Sequence, residues 1–114
     1  MNTIGLYLPN IADNIEFISK LKNYFYTSYD DYDFVLFSDI IHNIQFTNLA
    51  IIQTYHLRFF QGIIIFPSVK DYLDNQNILS NNIWILIDEN TDINQKELSK
   101  HQLFTIKNNE IILI

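Results

Sequence analysis

Cysteine is absent from the chain, which removes disulfides, thiolate metal sites, iron–sulfur clusters and cysteine nucleophiles together. Glycine is almost absent too: only Gly5 and Gly62 occur. A dinucleotide fingerprint needs several glycines in the first strand-to-helix turn, so that backbone can approach a pyrophosphate. That turn reads Leu8-Pro9-Asn10-Ile11-Ala12-Asp13 and has none. A P-loop fails for the same reason, and flavodoxin-type FMN binding would want hydroxyls where this turn has no Ser or Thr. No serine sits in a nucleophile elbow, which requires flanking glycines. NAD, FMN and ATP are therefore expected to leave the melting temperature unchanged, and no cofactor is expected.

Basic residues are scarce, seven against thirteen acidic ones, for a formal charge of −6. Lys20, Lys22, Arg58, Lys70, Lys96, Lys100 and Lys107 are scattered and form no stripe that could displace counterions along phosphates. Nucleic acid and anionic membrane are disfavoured as partners, and a basic protein is the easier electrostatic match. No apolar run is long enough to span a bilayer, and residues 1–8 carry no basic region of a signal peptide. A cytoplasmic location is the expectation.

What the chain has in quantity is apolar and aromatic residue, 48% and 15% over 114 positions, enough for one packed domain covering residues 1–114. Short apolar runs alternate with amphipathic stretches, the pattern of βα units around a parallel sheet. Strands are predicted at 3–8, 33–37, 63–66 and 83–87. The first helix runs from an Asp13 cap to about Phe25, with Ile15, Ile18, Leu21 and Phe25 on one face. Residues 26–33, Tyr-Thr-Ser-Tyr-Asp-Asp-Tyr-Asp, read as a polar return loop. The stretch 38–46 reads as a packed loop or a single helical turn. A second helix is predicted from Thr47 or Asn48 to Phe60, apolar around most of its circumference, with Gly62 as its C-cap. Ser68 caps a short helix to about Asn75, and Thr91 or Asp92 caps another to Lys100. Residues 102–114 form one strand or a hairpin turning at Asn108-Asn109.

The expected fold is a three-layer α/β sandwich with a mostly parallel, flavodoxin-like or Rossmann-like sheet in order 2-1-3-4-5. In length and element order the chain resembles a response-regulator receiver. The acids such a domain needs after its first and third strands are missing, since Asn10 and Ser68 stand there. The resemblance thus extends to architecture and not to phosphotransfer.

Ligands of open α/β sheets bind beyond the carboxyl ends of the strands. Asn10, Asp39, His42 and Ser68 form the candidate ligand face, although each also reads as ordinary capping or loop punctuation. Asp88 and Glu89 belong to the same end of the sheet. A metal held by Asp39, His42, Asp88 and Glu89 is rejected, because the second and fourth strands would lie roughly 14 Å apart. His56, inside the apolar second helix, reads as a core or interface histidine. Tyr55, Phe59 and Phe60 on that helix, with Tyr29 and Tyr32 in the return loop, are the candidate interface.

With no catalytic residue identified, the leading reading is a non-enzymatic protein–protein interaction or regulatory module, self-associating as a dimer through the second helix. The alternative is a small enzyme or ligand-binding domain using the strand-end face.

Overall fold

The computed structural model describes residues 2–8, 15–28, 32–37, 50–52, 54–76, 82–88, 90–91 and 98–114. Its strands are β1 (Asn2–Tyr7), β2 (Tyr32–Phe37), β3 (Ala50–Ile52), β4 (Ile63–Phe66), β5 (Asn82–Leu86), β6 (Gln102–Lys107) and β7 (Glu110–Leu113). Helices α1 (Ile15–Ser28) and α2 (Val69–Leu73) and a 3₁₀ helix, Thr54–Phe59, pack on them. The strands form one sheet in the order β3-β2-β1-β4-β5-β6-β7, parallel throughout except for the final β6–β7 pair. The expected order of the five principal strands is contained in this arrangement. Two strands are additional, β3 at one edge and β7 at the other. Among the described residues no helix is long and apolar enough to cross a membrane.

The central strands lack polar alternation because both of their faces are buried. In β4, Ile63 and Ile65 point to one side while Ile64 and Phe66 point to the other, and β5 divides Trp84 and Leu86 from Ile83 and Ile85 in the same way. The first face is covered by α1, whose Phe17, Ile18, Leu21 and Phe25 pack on Ile4, Leu6, Leu36, Ile65 and Phe104. Trp84 sits among Tyr24, Phe25 and Phe104, with ring centroids 5.2 to 6.2 Å apart. The second face carries the 3₁₀ helix through Leu57, α2 through Tyr72, and Leu98.

α1 continues to Ser28, absorbing the first part of the expected return loop, since Tyr26-Thr27-Ser28 contains no glycine or proline to stop it. Its Asp13 cap lies outside the described residues. α2 begins as expected: Ser68, in extended conformation, accepts from the Asp71 amide. The C-terminal segment is a hairpin rather than one strand. Asn108 and Asn109 take φ of 52° and 63°, the paired positive values of a type I′ turn that asparagine tolerates.

The predicted helix over 47–60 is corrected. Ala50–Ile52 pairs in parallel with Val35–Phe37 as an edge strand, and among the described residues of this span Thr54–Phe59 alone is helical, as a 3₁₀ helix. Ala50-Ile51-Ile52 is short, apolar and partly β-branched, so it satisfies a buried parallel strand as well as a helix. The unusual apolar circumference came from reading a strand and a helix as one element. In the last predicted helix, Thr91 closes a turn with Asp88, residues 92–97 lie outside the described set, and 98–100 form a turn closed by His101 N–H to Leu98 C=O.

Candidate functional site

The strand-end face comes into view only in part. Asn10, Asp39, His42 and Glu89 lie outside the described residues. Ser68 follows β4 as expected, but its hydroxyl is engaged locally, donating to Asp71 Oδ2 at 2.7 Å while accepting from the Asp71 amide at 3.1 Å. Asp88 follows β5, where its Oδ1 accepts from the Asn90 amide and the Thr91 hydroxyl. Both residues serve as turn and cap groups.

A second site forms on the other sheet face, beside the last residue of β2. Phe37 is buried, and Phe60 meets it edge-on with ring centroids 5.2 Å apart at 79°. Phe37, His56, Phe59 and Phe60 line a shallow cleft of about 400 Å³. Phe59 is the most exposed large apolar side chain described, at 60%, and the Arg58 guanidinium lies 4.7 Å from its ring centroid. A cation over an aromatic face at this distance is attracted by the ring quadrupole and restrains the ring orientation. His56 is exposed on the rim, which excludes the core alternative for it and leaves the interface one. Leu57, between the two exposed residues, is the anchor, fully inserted into the second core.

Both glycines of the chain seat this cluster. A Cβ on Gly5 would lie 2.8 Å from the Phe37 ring and 3.1 Å from that of Phe60. Gly62 has φ of 141°, a region essentially restricted to glycine, and a Cβ there would stand 2.6 Å from the Thr3 carbonyl oxygen and 3.2 Å from Phe60. Its role is therefore to bring the chain from the 3₁₀ helix tightly against β1, rather than to cap an α-helix.

Of the candidate interface, the structure brings Phe59 and Phe60 together. Tyr55 belongs to the same 3₁₀ helix and Tyr32 opens β2, but their side chains, like all of Tyr29, lie outside the described set. Sequence reasoning missed Phe37 and the glycines. A glycine inside a strand is a known mark of close approach by another group, and Gly5 carried that signal.

A third cluster pairs Tyr72 of α2 with His101 ahead of β6. The Tyr72 hydroxyl and His101 Nε2 are 2.8 Å apart, while His101 Nδ1 is buried with no hydrogen-bond partner among the described residues. Burial, with a smaller contribution from the Lys100 charge, lowers the histidine pKa below its ordinary value of 6.5. The neutral form is favoured in the fold, so the stability it contributes is complete above pH 6.5 and is lost as pH falls through the lowered folded value. Thermal melts at stepped pH should show the parent protein losing stability more steeply than His101→Gln below pH 6.5. Parallel curves would remove this linkage.

No protein-family model, curated protein or solved structure matches this chain.

Proposed function

We propose that the chain is a protein-interaction module, non-catalytic, that engages its partner through the aromatic shelf of Phe59 and Phe60. The observation that carries this reading is the exposure of Phe59 at the mouth of an apolar cleft. Among the described residues, Phe25, Phe37, Phe66 and Phe104 are completely buried, whereas Phe59 stands in solvent beside a concavity. Aromatic anchors of this kind, flanked by arginine, are the groups enriched at the energetic centres of interfaces. The scaffold behind it is taken to be a three-layer, flavodoxin-like sandwich, with α1 on one face and the shorter helices on the other. The natural setting of such a module is the cytoplasm.

Two electrostatic scales act on the partner. The net charge of −6 attracts a basic protein at long range. At the shelf itself Arg58 and His56 favour a carboxylate or carbonyl near the partner's contacting group. An apolar side chain with an adjacent acid, on an otherwise basic protein, meets both requirements.

Phe59→Glu tests the reading because the side chain is mostly in solvent, so the substitution should leave the melting temperature nearly unchanged. Affinity capture from the source cell with the parent protein and with this variant, quantified by mass spectrometry, should give a basic protein retained by the first and lost by the second. Retention of the same set by both would overturn the proposal. Phe60→Ala, by contrast, removes a half-buried ring that packs on Phe37, and it should destabilise the fold by about 2–4 kcal/mol.

A further inference from the structure

Of the five large apolar residues that stand exposed among those described, three are consecutive: Ile112, Leu113 and Ile114, at 42%, 41% and 56%. Ile112 and Leu113 belong to β7, the last strand of the sheet, and Ile114 follows it; among the described residues β7 pairs with β6 along one side only. Edge strands are normally blunted by a charge, a proline or a bulge. Residues 111–114 carry none of these.

The hairpin register fixes which backbone groups face outward. With a two-residue turn, Lys107 and Glu110 form the first hydrogen-bonded pair, and such pairs then alternate along the ladder. Ile112 and Ile114 turn their amides and carbonyls to β6, as the bond from Ile114 N–H to Leu103 C=O at 2.9 Å confirms. Ile111 and Leu113 therefore present theirs to the free edge.

We propose that this edge pairs antiparallel with β7 of a second copy of the chain, giving one continuous sheet across a two-fold axis at Ile112. In this register Ile111 lies opposite the partner's Leu113, and Leu113 opposite the partner's Ile111, so the outward donors and acceptors match with none left over. Ile112 meets the partner's Ile112 on one sheet face, and the two Ile111–Leu113 pairs meet on the other, where Ile111 already packs against the first core. Apolar cross-strand pairs stabilise sheets in this way. Moving the axis to Ile111 would set Ile112 against the partner's Glu110, so the apolar match favours the Ile112 axis over that one. A two-fold antiparallel edge is self-complementary by construction, which is why a second copy fits it better than an unrelated strand.

Charge favours the same occupant. The chain carries −6, yet residues 98–114 hold Lys100 and Lys107 against Glu110 alone. Two acidic copies thus meet at a segment where the acidic charge is not, and like-charge repulsion from elsewhere is screened over about 8 Å at physiological salt. One short strand pairing falls well below the roughly 1,600 Å² of a standard interface, so the dimer is expected to be weak, with a Kd of tens of micromolar or above.

Sedimentation velocity from about 5 to 500 µM tests this, since the range brackets such a Kd. The weight-average mass should rise from 13.6 kDa toward twice that value. Leu113→Pro removes an outward amide without touching the β6 ladder, a substitution edge strands accept. Ile112→Lys places two charges face to face at the axis. Each should weaken dimerisation at least about tenfold while keeping a folded monomer, and Phe59→Glu should not change it. Amide exchange at Ile111 and Leu113 should slow as concentration rises. A mass of 13.6 kDa across the range, or a dimer indifferent to Ile112→Lys, overturns the proposal, whatever the fate of the Phe59 shelf.

Discussion

Placing aspartate at Ile64 or at Ile85 is expected to abolish soluble expression. Both side chains are fully buried, on adjacent parallel strands in the middle of the sheet, and both face the second core. A carboxylate there would stand among Phe66, Tyr72, Ile83 and Leu103, in a cluster of buried apolar side chains. An unpaired buried charge costs several kcal/mol, in a domain whose whole stability is about 5–15 kcal/mol. Protonation of the aspartate does not rescue the fold, because a neutral carboxyl still lacks hydrogen-bond partners and leaves the isoleucine volume unfilled. The control is Ile112→Asp, at an exposed position, which should remain soluble and folded. Soluble yield and circular dichroism separate these outcomes. A cooperatively melting Ile64→Asp or Ile85→Asp protein would overturn the placement of β4 and β5.

Gly62→Ala should be the most damaging small substitution in the chain. Its φ of 141° is one that a residue with a Cβ occupies only under strain, of order 1–3 kcal/mol. The added methyl would also stand 2.6 Å from the Thr3 carbonyl oxygen, and backbone cannot step aside as a side chain can. The two costs together amount to about 3 kcal/mol or more. Gly5→Ala differs in kind. Its backbone is ordinary strand, and the obstacles are the rings of Phe37 and Phe60, so the overpacking cost is about 1–3 kcal/mol. Shrinking one ring should then help: Phe37→Leu is expected to recover part of the loss in Gly5→Ala and none of it in Gly62→Ala. Chemical denaturation of the single and double variants measures this coupling. Equal rescue of both, or a neutral Gly62→Ala, would show that Gly62 does not hold the chain against β1.

These two predictions trace how the fold is encoded. β1, β4 and β5 were legible because each is a short buried apolar run, with Pro9 or Pro67 soon after two of them and polar residues around the third. Ser68 and the Asn108-Asn109 pair announced a cap and a turn through local chemistry, and the structure uses both in that way. The segment from Leu49 to Phe60 was not legible, because a three-residue edge strand followed by a 3₁₀ helix leaves no period in the sequence. What decides between one helix and two elements there is pairing with Val35–Phe37, an interaction distant along the chain.

The candidate site shows the same division. Phe59 and Phe60 stood out as aromatic residues suited to an interface, and they do share a cleft, but at the end of a 3₁₀ helix rather than on the expected α-helix. Phe37 closes that cleft from β2, and Gly5 makes room for it from β1. No local pattern joins residues 5, 37 and 60: the parallel register of β1 and β2 brings the first two together, and the tight turn at Gly62 sets Phe60 against them. The Tyr72–His101 pair escaped for the same reason, being 29 residues apart in sequence and 2.8 Å apart in space.

We propose that the Phe59 shelf, and not the strand-end face at Ser68, is where this protein meets its partner. Photocrosslinking addresses it directly, with a benzophenone amino acid placed in the source cell at Phe59 in one version and at Ser68 in another. A discrete crosslinked species is expected from position 59 and none from position 68. A species formed from position 68 alone would contradict it and return the function to the carboxyl ends of the strands.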